Sequence, residues 1–471
     1  MQSYISKYLL GIKDTIPNKK RESDDFIDLE TELSYLLSTK EWNKAEEELS
    51  GQLARRVDIT KKFQTKYTLN WKNIKNTEEV SSFLSSLATF ILYVSFKKLE
   101  ADNAPLEELL KCINAIMKAL DVAKEEWISE GSSLYIAIHN DFNLLLGKLP
   151  LSLNLQEKHI INLKQIKTEN KTIPITLLYS EGPIARAYLE IFKSMGLKPK
   201  KIINIVSSVD LVTKKTVGRF LPLKYRKRYA AFSQESKINY WPRKIEKKHS
   251  ELQKEIFREI NEKYSLPIEI LNQTTKKLNL SEYCENIETL LVSGLNDKKL
   301  CDKLGKEKED VILYTGGGMV PPSLLSISET RFIHIHPGFL PDIKGADCTL
   351  WSSMIFKRAS ASCFYMSPGI DTGDIIMARM LPEISFDINT DKYDLKILYR
   401  AVYSYLDPWI RAVLLREFLS THDEFMDIQT VQQDEKDGYT YYFMHENVKK
   451  AALKSLFSED FTTLKYNPPE K

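Results

Sequence analysis

Cysteine is scarce in this chain, with five residues at scattered positions among 471, and no two of them form a CxxC pair. We interpret them as reduced thiols that pack as small apolar groups. Because disulfides are rare in the cytosol, this pattern is typical of a cytoplasmic protein, and a cytoplasmic location is our expectation.

Long apolar runs are also lacking. The best candidate, residues 83–96, is too short to span a bilayer, contains serines and is followed by Lys97 and Lys98. We expect a buried helix there and no membrane partner. The first twenty residues lack an apolar run followed by a small-residue cleavage site, so we predict no signal peptide.

An excess of charge of one sign is absent as well. The formal net charge is +3, and a chain that binds nucleic acid along its whole length would usually be more basic. A nucleic-acid partner is therefore not expected. Hydrophobic residues make up 43% and aromatic residues 10% of the chain, which indicates a folded globular protein.

The length exceeds that of one ordinary core and predicts two or three domains. In residues 1–166 apolar residues recur at three- and four-residue spacing, with little Gly or Pro, which predicts an all-α domain of unknown role. We predict an α/β, Rossmann-like domain with a mostly parallel sheet over residues 167–385. A small α+β region is predicted over residues 386–471, with a long amphipathic helix from Asp391 to Leu419, the aromatic strand YTYYFM and a last helix from Glu446 to Phe457.

The α/β pattern begins at PITLLY, Pro174–Tyr179. A stretch with helical spacing follows and ends at Gly196, and the β-branched run Lys200–Val206 comes next. Strand, helix and strand at this spacing predict a βαβ unit of a parallel sheet. The turn is SEGP, so the GxGxxG fingerprint of dinucleotide-binding sites is absent. Further strands are predicted within Glu288–Gly294, Asp310–Gly318, Arg331–Gly338 and Ala361–Met366.

A basic insertion at about residues 207–267 interrupts this pattern with the stretches LPLKYRKRYAAF and WPRKIEKKH. Such a lobe can meet phosphate on an acceptor substrate. Charge runs alone are weak evidence, so a solvated helical insertion with ordinary surface lysines is the interpretation that we favour.

Two histidines near the end of a predicted strand are the main candidates for chemistry. His334 and His336 lie two apart, so their side chains point to the same face. Pro337 and Gly338 end the strand, which puts the histidines where open parallel sheets bind ligands. The pair can ligate a metal with an added carboxylate such as Asp371 or Asp342, act in acid–base catalysis, or form satisfied core contacts.

A second candidate element is SPGIDTGDII, Ser367–Ile376, in which Gly369 and Gly373 bracket Asp371. Glycines let the backbone approach a ligand closely. A carboxylate on such a loop can orient a water or a histidine, and an ordinary turn with a capping Asp is the alternative.

Together these elements resemble the folate-dependent formyltransferases, a family that includes methionyl-tRNA, glycinamide ribonucleotide and sugar-amine formyltransferases. FIHIHPGFLPDIKGAD, followed after a helix and a strand by GIDTGDII, carries the likeness, which extends from Ile173 to Pro382. The resemblance implies transfer of a formyl group from N10-formyltetrahydrofolate, the co-substrate, to an amine of a small-molecule or nucleotide-linked acceptor, which can bear phosphate.

The resemblance also implies site residues. His336 and Asp371 match the catalytic histidine and aspartate of the family, and His334 stands where the family has a catalytic asparagine. The pterin is expected in the loops 316–322 and 367–374. The implied folate-binding positions are Gly317, Gly318, Met319, Val320, Gly338, Phe339, Leu340, Pro341, Gly369, Ile370, Thr372, Gly373 and Asp374.

The implied mechanism gives each catalytic residue a role. His334 and His336 would stabilise the oxyanion formed when the amine attacks, since an imidazole can donate a hydrogen bond. Asp371 would hold His336 or a water in place and assist proton transfer to N10. No metal is expected in this mechanism.

Two other functions stay open: a divergent one-carbon or metal-dependent hydrolytic enzyme that uses the His-x-His pair, and a catalytically degenerate binding protein. The acceptor, the role of residues 1–166 and homo-oligomerisation are also left open.

Overall fold

The computed structural model describes residues 82–123, 133–152, 156–164, 168–307, 311–434 and 437–457. The chain forms two compact units. One comprises Met1–Leu149, Tyr442–Ala451 and Asp460–Lys471, and the other comprises Pro150–Tyr441 and Ala452–Glu459. The predicted domain boundaries at residues 166 and 385 stay predictions.

The first unit is helical where it is described. Its helices are α1 (Ser82–Ala101), α2 (Leu106–Ala123) and α3 (Ser133–Leu146). The apolar residues of α2 that recur at helical spacing are buried, as Leu110, Ile113 and Ile116 show. None of the helices in the described ranges is long and apolar enough to cross a membrane. Residues 1–81 and 124–132 of the predicted helical region lie outside the described residues.

The second unit is built on a central sheet. Its first half contains β1 (Lys171–Ser180), α4 (Pro183–Ser194), β2 (Leu197–Ser207), α5 (Leu223–Ile238), α6 (Tyr240–Lys248), α7 (Ser250–Tyr264), α8 (Ile268–Gln273), β3 (Ile287–Val292) and α9 (Lys298–Glu307). Its second half contains β4 (Val311–Tyr314), α10 (Pro322–Leu325), β5 (Arg331–His336), β6 (Ile343–Gly345), α11 (Cys348–Phe356), β7 (Ser360–Tyr365), β8 (Ile375–Met380), α12 (Leu395–Ala401), α13 (Asp407–Thr421), β9 (Tyr439–Tyr441) and α14 (Glu446–Phe457), whose last turns belong to this unit.

Seven strands form this sheet in the order β3-β2-β1-β4-β5-β7-β8. The pairs from β3 to β5 are parallel, and β7 runs antiparallel to both β5 and β8. Strands covered on both faces read as continuous apolar runs, and β4 and β7 are buried along their whole length. The predicted Rossmann-like fold with a mostly parallel sheet is confirmed.

The basic segment at residues 207–267 supplies helices of the connection from β2 to β3. On α7, Leu252, Ile256, Phe257 and Ile260 are buried, so this helix is part of the core. Helix α5 buries only three of its residues and carries the exposed basic and aromatic side chains. The interpretation as a solvated insertion therefore fits α5 but not α7.

The predicted C-terminal helix runs from α12 through a π-helical turn at Val402–Leu406 into α13. The prediction that it is amphipathic is wrong, because α13 is buried on nearly every face. It packs against α4, β5 and β7, so it has no solvated side. The predicted helix at Glu446–Phe457 is confirmed, and the predicted aromatic strand is the short β9, which pairs with β6.

Candidate active site

The two histidines lie at the carboxyl end of β5, as predicted. His334 is 7% exposed and His336 is 3% exposed. Because β4 and β5 are parallel, the loop after β4 leaves the sheet at the same edge at which β5 ends. The sheet topology therefore brings the predicted histidines to the edge where parallel sheets bind ligands.

His334 is held by the neighbouring strands. Its Nδ1 lies 3.2 Å from the carbonyl oxygen of Tyr314, the last residue of β4. The Tyr314 ring lies 5.7 Å from the imidazole, and the Phe364 ring of β7 meets it edge-on at 6.0 Å. These contacts fix the orientation of the imidazole plane.

His336 contacts a backbone carbonyl on one side and a carboxylate on the other. Its Nε2 lies 3.0 Å from the carbonyl oxygen of Ile343, and its Nδ1 lies 3.3 Å from Oδ2 of Asp371. A carbonyl oxygen only accepts, so Nε2 carries a hydrogen. A bare Nδ1 lone pair would repel the carboxylate at this distance. A hydrogen on Nδ1 therefore makes the contact with Oδ2 favourable.

Asp371 is positioned by an irregular backbone. Its φ is 54°, in the left-handed region, and its Oδ2 accepts a hydrogen bond of 2.9 Å from the backbone N–H of Gly345. Tyr365, the last residue of β7, pairs with Ile333 of β5. Asp371 lies after β7 but contacts His336, which is three residues further along β5 than Ile333. The loop after β7 therefore runs back along β5, which brings the carboxylate to the histidine.

Glycines make these close approaches feasible. A Cβ on Gly338 would lie 2.4 Å from the carbonyl oxygen of Ile343 and 2.6 Å from Nε2 of His336. A Cβ on Gly373 would lie 1.6 Å from the carbonyl oxygen of Tyr365. A side chain at either position would displace the backbone or the imidazole from its place.

A buried ion pair beneath β5 was not predicted. Arg411 of α13 donates from Nη1 to the carbonyl oxygen of Ile335, the residue between the two histidines, at 2.7 Å. Its Nε donates to Oδ2 of Asp407 at 2.9 Å, and Thr349 donates to Oδ1 of the same carboxylate. The only signal in the sequence is an Asp and an Arg four residues apart within an apolar helix.

Burial shifts both histidines toward the neutral form. Burial, followed by the positive charge of Arg411, lowers the pKa of His334 to about 4. Burial also lowers the pKa of His336, and the Asp371 carboxylate opposes that shift. The two imidazoles are thus chemically distinct, since only His336 has a carboxylate within contact distance.

The predicted folate-binding positions after β4 divide into two kinds. Gly317, Gly318 and Met319 are exposed, and Gly318 has a φ of 88°. Val320 is 5% exposed, and its side chain packs in the core with Leu324 and Tyr314. The Tyr314 hydroxyl donates to the carbonyl oxygen of Gly317 at 3.0 Å. The exposed part of the loop is therefore accessible to a ligand, whereas Val320 anchors it.

The positions after β5 show the same division. Leu340 is buried with Phe364 and Ile375, and its N–H donates to Oγ of Ser362. Oγ of Ser362 in turn donates to the carbonyl oxygen of Gly338 at 2.7 Å. This bonding fixes the chain after His336. Phe339 and Pro341 are partly exposed, and the Phe339 ring meets His159 edge-on at 5.6 Å.

The positions around Asp371 form a self-bonded loop. Thr372 donates to the carbonyl oxygen of Pro368 at 3.1 Å, and the backbone oxygen of Asp374 accepts from Tyr365 N–H. Gly369, which has a φ of 131°, is exposed, and Ile370 is partly exposed. These bonds hold Asp371 in place from within its own loop. Its role as a catalytic group stays a prediction.

The contacts of His336 argue against its serving as a metal ligand, as the metal-dependent hydrolytic enzyme would require. Both ring nitrogens of His336 already face oxygen atoms, at 3.0 Å and 3.3 Å. A metal ligand needs a nitrogen lone pair directed at the ion. Within the described parts of the chain, no group of three or more His, Cys, Asp or Glu residues is arranged to hold a metal ion.

Part of this sequence is similar to known proteins. A family model described as formyl transferase matches residues 257–397, a stretch that contains His334, His336 and Asp371. A methionyl-tRNA formyltransferase of Syntrophus aciditrophicus (strain SB) is 30% identical over 111 residues, which cover 22% of this chain and 36% of that protein. The methionyl-tRNA formyltransferase of Clostridioides difficile (strain 630) is 30% identical over 121 residues, which cover 24% and 38%.

Among solved structures, a sugar N-formyltransferase from Shewanella sp FDAARGOS_354 covers 57% of this chain and 76% of its own chain, at 11% identity and a TM-score of 0.29. This chain spans little more than a third of the length of the curated relatives named above. Residues 257–397 are therefore similar to the formyl transferase family. The resemblance to formyltransferases seen in the sequence is confirmed for this segment.

Proposed function

We propose that this chain is a folate-dependent formyltransferase that moves a formyl group from N10-formyltetrahydrofolate to an amine. The observation that carries the proposal is the pairing of His336 with Asp371, 3.3 Å apart at the carboxyl end of β5, inside the stretch that matches the family. A histidine and a carboxylate that share a proton can donate it to a developing charge or a leaving nitrogen.

The chemistry assigns a role to each partner. When the amine attacks the formyl carbon, negative charge develops on the formyl oxygen, and the positive charge of the proton that His336 shares with Asp371 offsets it. The proton shared with Asp371 then passes to N10 as the bond from carbon to N10 breaks. The exposed backbone of Gly317 and Gly318 and the loop that carries Asp371 are where the folate would bind.

Formyl transfer is tested by mixing the protein with N10-formyltetrahydrofolate and a set of amino-sugar nucleotides and following the release of tetrahydrofolate by absorbance. We expect release that needs both the protein and one of the acceptors, and that is lost in His336→Ala. Release by His336→Ala at the wild-type rate contradicts the assignment. Folate binding without release by the wild-type protein favours the degenerate binding protein instead.

The acceptor is proposed to carry phosphate, because three cations surround one partly exposed indole. The ring of Trp241 on α6 has Lys244 Nζ at 4.7 Å, Lys396 Nζ at 5.3 Å and the Arg400 guanidinium carbon at 5.5 Å. Like charges gathered at one ring repel one another, and an anion at this point would relieve the repulsion. An indole beside the cations can also stack on a nucleobase.

Helix α12, which carries two of these cations, also contacts Asp347. Arg400 follows Tyr399, whose hydroxyl donates to Oδ1 of Asp347 at 2.7 Å. Asp347 precedes Cys348, and burial, followed by the charges of Asp371 and Asp347, raises the pKa of that thiol. Helix α12 therefore carries two cations of the cluster, Lys396 and Arg400, and the hydroxyl that binds Asp347.

Uridine diphosphate is a suitable probe for the phosphate site. We expect Lys396→Ser with Arg400→Ser to weaken its binding at least about tenfold, which corresponds to about 1.4 kcal/mol. Lys247→Ser with Lys248→Ser, which removes two exposed cations of α6, the helix that carries Trp241, is the matched control. Equal affinity in both double variants means that the cluster at Trp241 is not a phosphate site.

A further inference from the structure

His334 occupies the position at which the formyltransferase pattern has an asparagine. An asparagine side chain has a donor and an acceptor, and both are available at once. A neutral imidazole has one N–H and one bare nitrogen, and which is which depends on the hydrogen bonds. The tautomer of His334 therefore decides what this residue offers to a substrate.

The structure fixes that tautomer. Nδ1 of His334 lies 3.2 Å from the carbonyl oxygen of Tyr314, and a carbonyl only accepts, so the hydrogen is on Nδ1. Contacts with the rings of Tyr314 and Phe364 hold the imidazole in this orientation. The remaining nitrogen, Nε2, makes no hydrogen bond within the described residues, so in the neutral form it presents a lone pair.

The surroundings keep the imidazole neutral. His334 is faced by the Arg411 guanidinium from α13, by the imidazole of His336 on its own strand, by the Asp371 carboxylate from the loop after β7 and by the Tyr314 carbonyl from β4. Burial and Arg411 disfavour a second proton, and their combined effect outweighs that of Asp371. At neutral pH an N–H on Nε2 is therefore disfavoured, which argues against the predicted donation to an oxyanion.

We infer that Nε2 of His334 accepts the proton of the attacking amine. The inference rests on the proposed formyl transfer. In that reaction the amine nitrogen forms a bond to the formyl carbon, and its excess proton moves to Nε2 of His334. The bond from the formyl carbon to N10 then breaks, N10 takes the proton shared by His336 and Asp371, and the proton on His334 returns to that pair. The products are a formamide and tetrahydrofolate.

This division gives the two histidines opposite polarity. His334 has an arginine nearby and no carboxylate in contact, whereas His336 has a carboxylate at 3.3 Å. Neighbouring titratable groups whose environments differ in this way serve as the acceptor and the donor of a proton transfer. An asparagine at position 334 would bind the amine but would take no proton from it.

The tautomer is tested by NMR of ¹⁵N-histidine-labelled protein, with His334→Asn used to assign the signals. We expect His334 to show a protonated Nδ1 and a bare Nε2 at neutral pH. A protonated Nε2 overturns the inference. This readout does not depend on folate, so it separates a failure of the inference from a failure of the proposed function.

The catalytic role is tested with N10-formyltetrahydrofolate and hydroxylamine as the amine. A general base contributes on the order of 10²–10⁴ in rate, so we expect kcat of His334→Asn to fall at least about a hundredfold with KM for the folate nearly unchanged. An Asn variant as fast as wild type overturns the inference, because His334 would then only replace the asparagine of the family. If the wild-type protein releases no tetrahydrofolate above the rate without protein, either with hydroxylamine or with the amino-sugar nucleotides, the proposed function fails, and the NMR result stands alone.

Discussion

The α-carbon of Gly338 faces the imidazole of His336 so closely that a Cβ at Gly338 would lie 2.6 Å from Nε2. The same Cβ would lie 2.4 Å from the carbonyl oxygen of Ile343, to which Nε2 donates. The hydrogen bond that orients the catalytic histidine therefore depends on the absence of a side chain at position 338.

We predict that Gly338→Ala displaces His336 and abolishes most of the activity, with a loss of about 1–3 kcal/mol in the free energy of unfolding from overpacking. Gly294→Ala is the control, because a Cβ there has no neighbour within 4 Å. Urea unfolding and the tetrahydrofolate release assay check both effects. An unchanged rate for Gly338→Ala means that the orientation of His336 does not matter.

Asp371→Asn is expected to lower formyl transfer on the order of a hundredfold, since the amide cannot hold the proton shared with His336. The amide oxygen can still accept from the N–H of Gly345, and asparagine tolerates the left-handed backbone, so the fold should persist. Asp427→Asn removes an exposed carboxylate and serves as the control. Near-normal turnover of Asp371→Asn contradicts the role proposed for the carboxylate.

Arg411→Met should destabilise the protein by about 3–5 kcal/mol, because it leaves the Asp407 carboxylate buried without its partner. The double variant Arg411→Met, Asp407→Leu should recover part of that loss, since neither charge is left alone. Urea unfolding of the two variants and the wild type gives the comparison. A double variant less stable than Arg411→Met contradicts the explanation by an unpaired charge.

The buried His334 makes the protein sensitive to acid. Its pKa is 6.5 when unfolded and about 4 when folded, so as the pH falls between these values the unfolded state binds the proton first. Stability is therefore lost over that range, by up to about 3 kcal/mol. His334→Gln should lose less stability than wild type between about pH 7 and about pH 4.5. Equal losses in the two proteins contradict the burial effect.

The sequence was most informative where a local pattern decides the structure. The βαβ unit from β1 to β2, the strand that carries both histidines and the helix at Glu446–Phe457 follow from periodicity and turn residues alone. The meeting of His336 with Asp371, 35 positions apart, was expected only because the order of motifs resembles a family. No spacing rule leads from one to the other.

Other features depend on tertiary contacts that leave no local pattern. The burial of α13 on nearly every face was missed because its polar residues, such as Arg411 and Asp407, bond to one another and to β5 inside the core. The tautomer of His334 depends on the carbonyl of Tyr314 in a neighbouring strand. A sequence gives the residue type at such a position but not which atom carries the hydrogen.

The central claim, that this site binds a reduced folate, is tested most directly by thermal unfolding with 5-formyltetrahydrofolate, a stable folate. A ligand at a hundred times its dissociation constant adds about 2.7 kcal/mol of stability. We predict a rise in the unfolding temperature that saturates with folate and is reduced in Gly338→Ala but not in Gly294→Ala. No rise at any folate concentration would contradict the account.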